Sequence, residues 1–453
     1  MEIVFLRRVG HGRLGYHRGI LRLAGAVLAV MANSSTWAAS TSVSLDDAML
    51  LAEQRSPSVR SLQAARGAAE AELAETRALL WNNPQFNLER RRRQLAQPSG
   101  GYDARQDSAV GINQTFETGG QPRARRIAAE AALEASRQAV EQAKHEVRLE
   151  AARQFISVLQ LQFRVDIERA GADLLNQAAQ NMAKRVRAGE DTRLDGNLAQ
   201  VEAERAQGQL SLTRDELNQA RATLGTSLQL APGELPEAVG VLRIQEIPPY
   251  LLEDLLAAAQ RHPRLLVSAA RARTAEGKLG LERANRYPDL TFGISSSQEK
   301  NVDGADRVTT FALSLPLPLF RNNGAAIARA GTELAQLQIE LQAAQRDSES
   351  KVRLLWQRAD LLRHRAQRLE EATLPPLMEN QRLSLAALRA GEIGITQFLL
   401  ARRQTLEAQR ELTEAQAQAV LARFELESAA GWVAPVTAAG AARPADPHEK
   451  EVR

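Results

Sequence analysis

The sequence predicts a mainly α-helical protein with a small β part, built from one half-domain written twice. Three observations carry that expectation. Short motifs recur in order at a spacing of about 200 residues, far beyond the roughly 20–50 of a solenoid repeat. Each half holds two segments in which apolar and polar residues alternate. Each half also holds a very long run that ends in the same Arg-Ala-Gly-Glu turn, at 187–190 and 389–392. The other recurrences are Ala52-Glu53-Gln54-Arg55-Ser56-Pro57 with Ala258-Ala259-Gln260-Arg261-His262-Pro263, Asn83-Pro84 with Tyr287-Pro288, and 206–210 with 408–412.

Along the first half, Ser44 is placed to cap a helix with Asp47 at its third position. Pro57 divides that helix into 45–55 and 57–81, because a proline ring is tolerated only in a first turn. Asn82-Asn83-Pro84 stops it. Phe86 and Leu88 then alternate with polar neighbours, and Val110, Ile112 and Phe116 do the same after a Gly- and Arg-rich stretch from Arg90 to Gln106. These read as two strands joined by a loop. Pro122 opens a helix that meets no breaker until Gly189, roughly 100 Å at about 1.5 Å per residue. Leu133, Val140 and Val147 give it a seven-residue apolar spacing of coiled-coil kind. A return helix follows Gly189, the natural left-handed residue of the turn. The helices 57–81 and 192–228, stacked end to end, match the long one in length.

The second half repeats the plan. Leu290, Phe292 and Ile294 mark one strand; Phe311, Leu313 and Leu315 mark the next. Ile327, Leu334, Leu341 and Ala330, Leu337, Ala344 mark the long helix, which Pro375-Pro376 should kink. The expected organisation is a signal peptide at 1–38, a first repeat at 39–230 (strands about 84–90 and 108–117, hairpin 122–228), and a connector at 231–250. A second repeat at 251–431 (strands about 288–296 and 308–317, hairpin 324–430) and a disordered tail at 432–453 follow.

The signal reading rests on Arg7, Arg8, Arg13, Arg18 and Arg22 before a short apolar run, Leu23 to Ala32, and a small residue at Ala38. The run is shorter than the roughly 20 apolar residues of a spanning helix. Removing it takes five Arg and one Glu from 58 basic and 54 acidic residues, so the remaining charge is near zero and the pI of 9.6 is no hint of nucleic acid. There is no cysteine, hence no disulfide and no thiolate site. His145, His262, His364 and His448 have no ligand spacing, so no metal site and no cofactor are expected. No Gly-rich nucleotide loop and no Ser/His/Asp arrangement emerges, so no catalytic residue is assigned and no enzyme is expected.

Four strands with one apolar and one polar face cannot close a barrel alone. They suit a transmembrane barrel, polar inside and lipid outside. Three copies give twelve strands, and six helical hairpins that continue the barrel as a tube.

The order Asn83-Pro84-x-Phe86, Gln114-x-Phe116-x-x-Gly119-Gly120-x-x-Arg123, and Arg185-x-x-Ala188-Gly189 resembles the TolC family of outer-membrane export ducts. It is most similar to the branch paired with cobalt–zinc–cadmium efflux pumps. The resemblance covers about 44 to 431. It implies a homotrimer with a twelve-strand β-barrel in the outer membrane, a periplasmic α-barrel and an equatorial region. It also implies two partners, an inner-membrane proton-driven pump of the resistance–nodulation–division class and a periplasmic adaptor (membrane fusion) protein.

Function is then passive conduction, and the residues of interest line a constriction or meet the adaptor. At the first tip turn stand Glu190, Asp191 and Asp195. In a trimer each gives three negative charges around one axis, a ring that attracts cations. Family members carry a constricting acid where Asp195 falls. The competing reading is that Asp191 and Asp195 favour a helix N-terminus. The second tip departs from the family, with Gln397 and Leu400 where an acidic pair can stand, and Glu392 is its one acid. The turns at Arg187, Gly189, Arg389 and Gly391 are the expected adaptor-docking points, and equally plain turn formers. The run Arg90 to Arg93 binds lipopolysaccharide phosphates if it faces outward, or is merely solvated. Trp81, Tyr102 and Tyr287 suit a membrane interface, although Trp81 and Tyr287 fit the equatorial region as well.

Cargo is not legible. Heavy-metal cations follow from the branch; organic compounds or drugs, or a secreted protein, use the same duct. A periplasmic coiled-coil tether explains the helices but not the four strands.

Overall fold

The computed structural model describes residues 42–96, 100–242, 250–300 and 304–432. The expected signal peptide, the tail beyond 432 and most of the later part of the connector lie outside the described residues.

The chain begins with β1 (Ser42–Val43), α1 (Leu45–Arg55) and α2 (Pro57–Glu75), then β2 (Gln85–Ala96) and β3 (Tyr102–Phe116). The long α3 (Gln121–Ala188) and its return α4 (Arg193–Ser227) complete the first half. After β4 (Glu237–Ala238) come α5 (Leu252–Ala259), α6 (Pro263–Ala284), β5 (Leu290–Lys300) and β6 (Ala305–Ser314). The second hairpin is α7 (Gly324–Arg368), a π-helical turn (Leu369–Thr373), α8 (Leu374–Ala390) and α9 (Ile395–Ala429).

Ser44 caps α1 as its sequence predicts, accepting from the Asp47 N–H at 3.2 Å while its hydroxyl donates to the Asp47 carboxylate at 2.6 Å. α2 stops at Glu75 and not at 81. Its last turn tightens, with Arg77 N–H bonding Ala74 O and Ala78 N–H bonding Glu75 O, and Leu79 is left exposed. α2 and α4 both lie along α3, and α6 of the other repeat packs there too. At that crossing Gly277 faces the backbone of Ala128, so two helices meet almost main chain to main chain.

The four strands form one antiparallel sheet in the order β2-β3-β5-β6, and the β3–β5 pairing from Ser108↔Gln298 to Phe116↔Leu290 joins the two repeats. β2 and β6 are its edges. The expected loop from Arg90 to Gln106 is a correction. Arg90 to Arg93 lie within β2, paired with Ser108 to Arg105 of β3, and the ladder continues to Ala96↔Tyr102. Apolar–polar alternation ends at Leu88 because both faces of the hairpin are polar beyond it, but the backbone ladder does not need apolar side chains to continue. The second hairpin likewise runs further outward than expected, β5 to Lys300 and β6 from Ala305, and β6 ends at Ser314.

The Pro375-Pro376 pair disturbs its helix one turn earlier than its own position. Pro lacks an N–H and its ring crowds the carbonyl four residues back. The chain widens into the π turn, where the Leu374 N–H bonds Leu369 O.

Sheet and helices meet at a tight corner. Gly120 is left-handed (φ 79°), and a Cβ at Gly119 would lie 2.4 Å from Ala284 O. Buried Gln121 ties the corner, its side-chain oxygen accepting from the Gly119 N–H at 2.7 Å and its amide donating to Asp289 at 3.1 Å. Trp81 lies against this corner, with the Arg125 guanidinium 3.6 Å from its ring centroid. Below it the main core gathers Val43, Phe155, Val158, Leu224 and Leu228 around the parallel β1–β4 pair.

Candidate constriction and docking tip

Both hairpins reverse in the same way, at the end far from the sheet. Gly189 (φ 79°) closes α3, its N–H bonding Val186 O at 3.1 Å and the Glu190 N–H bonding Arg185 O at 3.0 Å. Gly391 (φ 76°) closes α8, with Gly391 N–H to Leu388 O at 3.2 Å and Glu392 N–H to Ala387 O at 2.9 Å. This left-handed closure satisfies carbonyls that a helix end leaves open, and glycine takes it without a Cβ penalty. Arg187, Gly189, Arg389 and Gly391 are all exposed.

Beyond the turns the repeats diverge. Thr192 caps α4, its hydroxyl accepting from the Asp195 N–H at 3.2 Å and donating to the Asp195 carboxylate at 2.5 Å. Gly394 stands at the corresponding place before α9 and makes no side-chain cap. Asp195 is therefore held at a helix N-terminus, where the dipole favours a negative charge, and it remains half-exposed. Glu190, its side chain 61% exposed, lies 3.5 Å from Nε of Arg185, and Glu392 is exposed on the second turn.

Asp191 is engaged inside the protomer. Its carboxylate lies 2.6 Å from Nε of Arg185, a charge contact without hydrogen-bond alignment. Arg185 also donates to Leu388 O at 3.0 Å, so one guanidinium ties the first turn to the C-terminal carbonyls of α8. A cation is favoured there by the helix dipole. Beneath the turns Met182, Ala199, Ala203, Leu388, Ile395 and fully buried Phe398 weld the two hairpins together. The acids on the first turn and Glu392 on the second thus share one end of the molecule. Arg185 is the residue that sequence reasoning missed as a contact. Its one signal was an acid six positions later, across a turn.

A second polar cluster sits higher, beside the π turn. Glu168 of α3 is 3% exposed and accepts both arms of Arg410 of α9, at 2.6 and 2.7 Å. Arg402 is 5% exposed, passes over Gly171 and donates to Gln381 at 3.1 Å. Burial lowers the Arg402 pKa and the Glu168 carboxylate opposes that shift. These pairs lock the two repeats and make no catalytic arrangement.

Among the described residues no helix is long and apolar enough to cross a membrane. The four-stranded sheet is apolar along one face. Its exposed face carries Phe86, Leu88, Val110, Ile112, Phe292, Ile294, Phe311 and Leu313.

Residues 49–228 and 255–432 match the family described as Outer membrane efflux protein. The chain belongs to that family. The match falls on each repeat separately. Of relatives, the Cobalt-zinc-cadmium resistance protein CzcC of Cupriavidus metallidurans is 26% identical over 304 residues, 66% of this chain and 71% of that protein. Among solved structures, the transmembrane channel CusC superposes with a TM-score of 0.71 over 86% of this chain and 92% of its own, at 17% identity. A membrane protein from Pseudomonas aeruginosa gives 0.73 over 87% and 92%, at 20% identity. The fold is that of the TolC-family channels, and this family member is an outer-membrane efflux channel with a periplasmic helical extension.

Proposed function

We propose that this chain is the exit duct of a tripartite efflux system that expels heavy-metal cations, working as a homotrimer with a periplasmic adaptor and an inner-membrane pump of the resistance–nodulation–division class. The single observation that carries the cargo is the 26% identity to a cobalt-zinc-cadmium resistance protein across 71% of that protein. The open edges of β2 and β6 favour the trimer, since three copies close twelve strands and leave no edge.

In this reading the tip is the constriction. Asp195 and Glu392 bring negative charge to the axis three at a time, and Glu190 and Asp191 add charge that Arg185 offsets within each protomer. Cations are drawn in without any ligand set that would retain them. The exposed turns at Arg187, Gly189, Arg389 and Gly391 meet the adaptor, tip to tip.

The test is growth of a deletion strain on zinc, cadmium, cobalt, nickel, copper and silver salts against detergents, dyes and antibiotics. Selective sensitivity to divalent metals, restored by the intact gene, is the expected result. Sensitivity to organic compounds alone would remove the metal assignment. In planar bilayers, Asp195→Asn should lower cation preference, and an unchanged reversal potential would remove Asp195 from the constriction.

A further inference from the structure

The four consecutive arginines of β2 do not act as one group, because successive side chains of a strand point to opposite faces. The pairing register sorts the whole sheet. On one face lie Glu89, Arg91 and Arg93 of β2 with Asp103, Arg105 and Asp107 of β3, and Glu299 and Asp306 follow on β5 and β6. Side chains of β3 and β5 on this face are mostly partly covered, while their neighbours on the other face are mostly exposed. Charges here are paired: Arg91 donates to Glu89 at 2.9 Å and Arg93 to Asp107 at 3.2 Å.

The opposite face carries the apolar band, which ends at the level Leu88–Val110. The next level outward is Arg90, Ser108, Gln298 and Arg307; two residues further out on each hairpin, Arg92 pairs with Gln106 and Lys300 with Ala305. All acids of the four strands (Glu89, Asp103, Asp107, Glu299 and Asp306) lie on the other face. Arg90, Arg92, Lys300 and Arg307 are exposed, and their side chains make no ion pair among the described residues. These four cations occupy two successive levels, about 7 Å apart at about 3.3 Å per residue. The levels stand directly above the apolar band, on the side of the hairpin tips and away from the helices.

We propose that Arg90, Arg92, Lys300 and Arg307 form a lipid-facing cationic girdle that binds the phosphates of a phosphorylated glycolipid, the lipopolysaccharide of the outer leaflet. The inference rests on the barrel of the proposed function, with the apolar face outward. The charge complementarity is one-sided. Guanidinium and ammonium groups with no ion pair among the described residues meet acceptor oxygens at headgroup depth, and no carboxylate of the described strand residues lies on that face to compete for them. Arginine suits this role because its planar fork matches a phosphate with two parallel bonds. Closing three chains edge to edge brings Arg307 of one chain toward Arg90 and Arg92 of the next, so each protomer boundary offers a cluster of both.

The full-length protein, extracted from outer membranes in mild detergent, carries the test. Bound lipid A is quantified by mass spectrometry for the native chain, for the outward variant (R90Q, R92Q, K300Q and R307Q together) and for an inward variant (R91Q and R93Q). The outward variant should lose about ten-fold or more of its lipid A, while the inward variant retains it. A second measurement needs no substitution: the native protein in nanodiscs is titrated with diphosphoryl lipid A, with dephosphorylated lipid A and with inorganic phosphate. Strong binding of the first alone is expected. Equal lipid A on all three proteins, or equal binding of the dephosphorylated lipid, would overturn the girdle. Displacement by inorganic phosphate at matched concentration would overturn the lipid headgroup as its ligand. Size-exclusion mass separates this from the trimer itself, since a monomer that binds lipid A through these four residues refutes the trimer and leaves the lipid contact standing.

Discussion

Gly277 sets how closely α6 lies on α3. A Cβ at that position would sit 2.7 Å from the Ala128 Cα and 2.9 Å from its amide nitrogen. Both contacts are backbone, so no side chain can swing aside. Gly277→Ala should therefore lower stability by about 1–3 kcal/mol, because overpacking outweighs the roughly 1 kcal/mol that alanine gains in a helix. Gly280, three residues on in the same helix, has no atom within 4 Å of such a Cβ. Gly280→Ala should raise stability by up to about 1 kcal/mol. Thermal melts followed by circular dichroism compare the two. A loss of equal size at both positions would mean that close helix approach is not what Gly277 provides.

At the scale of elements, α6 begins on a histidine. His262 caps it, Nδ1 accepting from the Arg264 N–H at 3.1 Å, and its ring lies 5.9 Å from His145 on α3. Burial depresses the His262 pKa to about 4, and the His145 charge, Lys351 and Arg264 push the same way, against a hydrogen bond to the Ser428 backbone. Burial lowers His145 as well, with Arg148 adding to it and Glu141 and Glu53 opposing. An unfolded histidine takes its proton near pH 6.5. The unfolded chain thus binds more protons between pH 6.5 and about 4, so stability is full above that window and falls as pH drops through it. The His262 share is about 1–2 kcal/mol once partial solvent screening is allowed for. His262→Asn keeps a capping oxygen and cannot titrate. Its melting temperature should fall less steeply from pH 7 to pH 4.5 than that of the native chain, and parallel curves would refute the cap as an acid-sensitive contact.

Elements were also where the sequence was most and least legible. Gly189, Gly391, Pro57 and Ser44 act through local backbone rules, so turns and caps could be read directly. Leu88 marked the end of legible strand, because β2 continues through Arg90 to Ala96 on pairing with β3 and not on its own pattern. The π turn was displaced from the Pro375-Pro376 signal, since proline disturbs the carbonyls before it. At the tip, Glu190, Asp191, Asp195 and Glu392 were found as acids near turns. That Asp191 is held by Arg185, and that Arg185 reaches Leu388, depends on how two repeats pack, which no local pattern encodes.

At the scale of the whole molecule, the sheet poses a question of closure. Edges β2 and β6 of one chain are separated by β3 and β5, about 14 Å at about 4.8 Å per step. A disulfide needs Cβ atoms about 3.8 Å apart, so no bond between these edges can form within a chain. The sequence contains no cysteine, so introduced thiols have no background. Leu88→Cys on β2 is combined in turn with Thr309→Cys, Phe311→Cys or Leu313→Cys on β6; all four positions face the apolar side. In a closed trimer one of these pairings comes into register, and mild oxidation yields a covalent species of three chains that runs no higher on a denaturing gel. Open edge-to-edge stacking, which does not close, would instead give a ladder continuing past three. Single-chain bands from all three double variants, with every single variant behaving alike, would mean that β2 and β6 do not pair between chains. The twelve-strand duct would then have to be abandoned, whatever cargo the growth panel identifies.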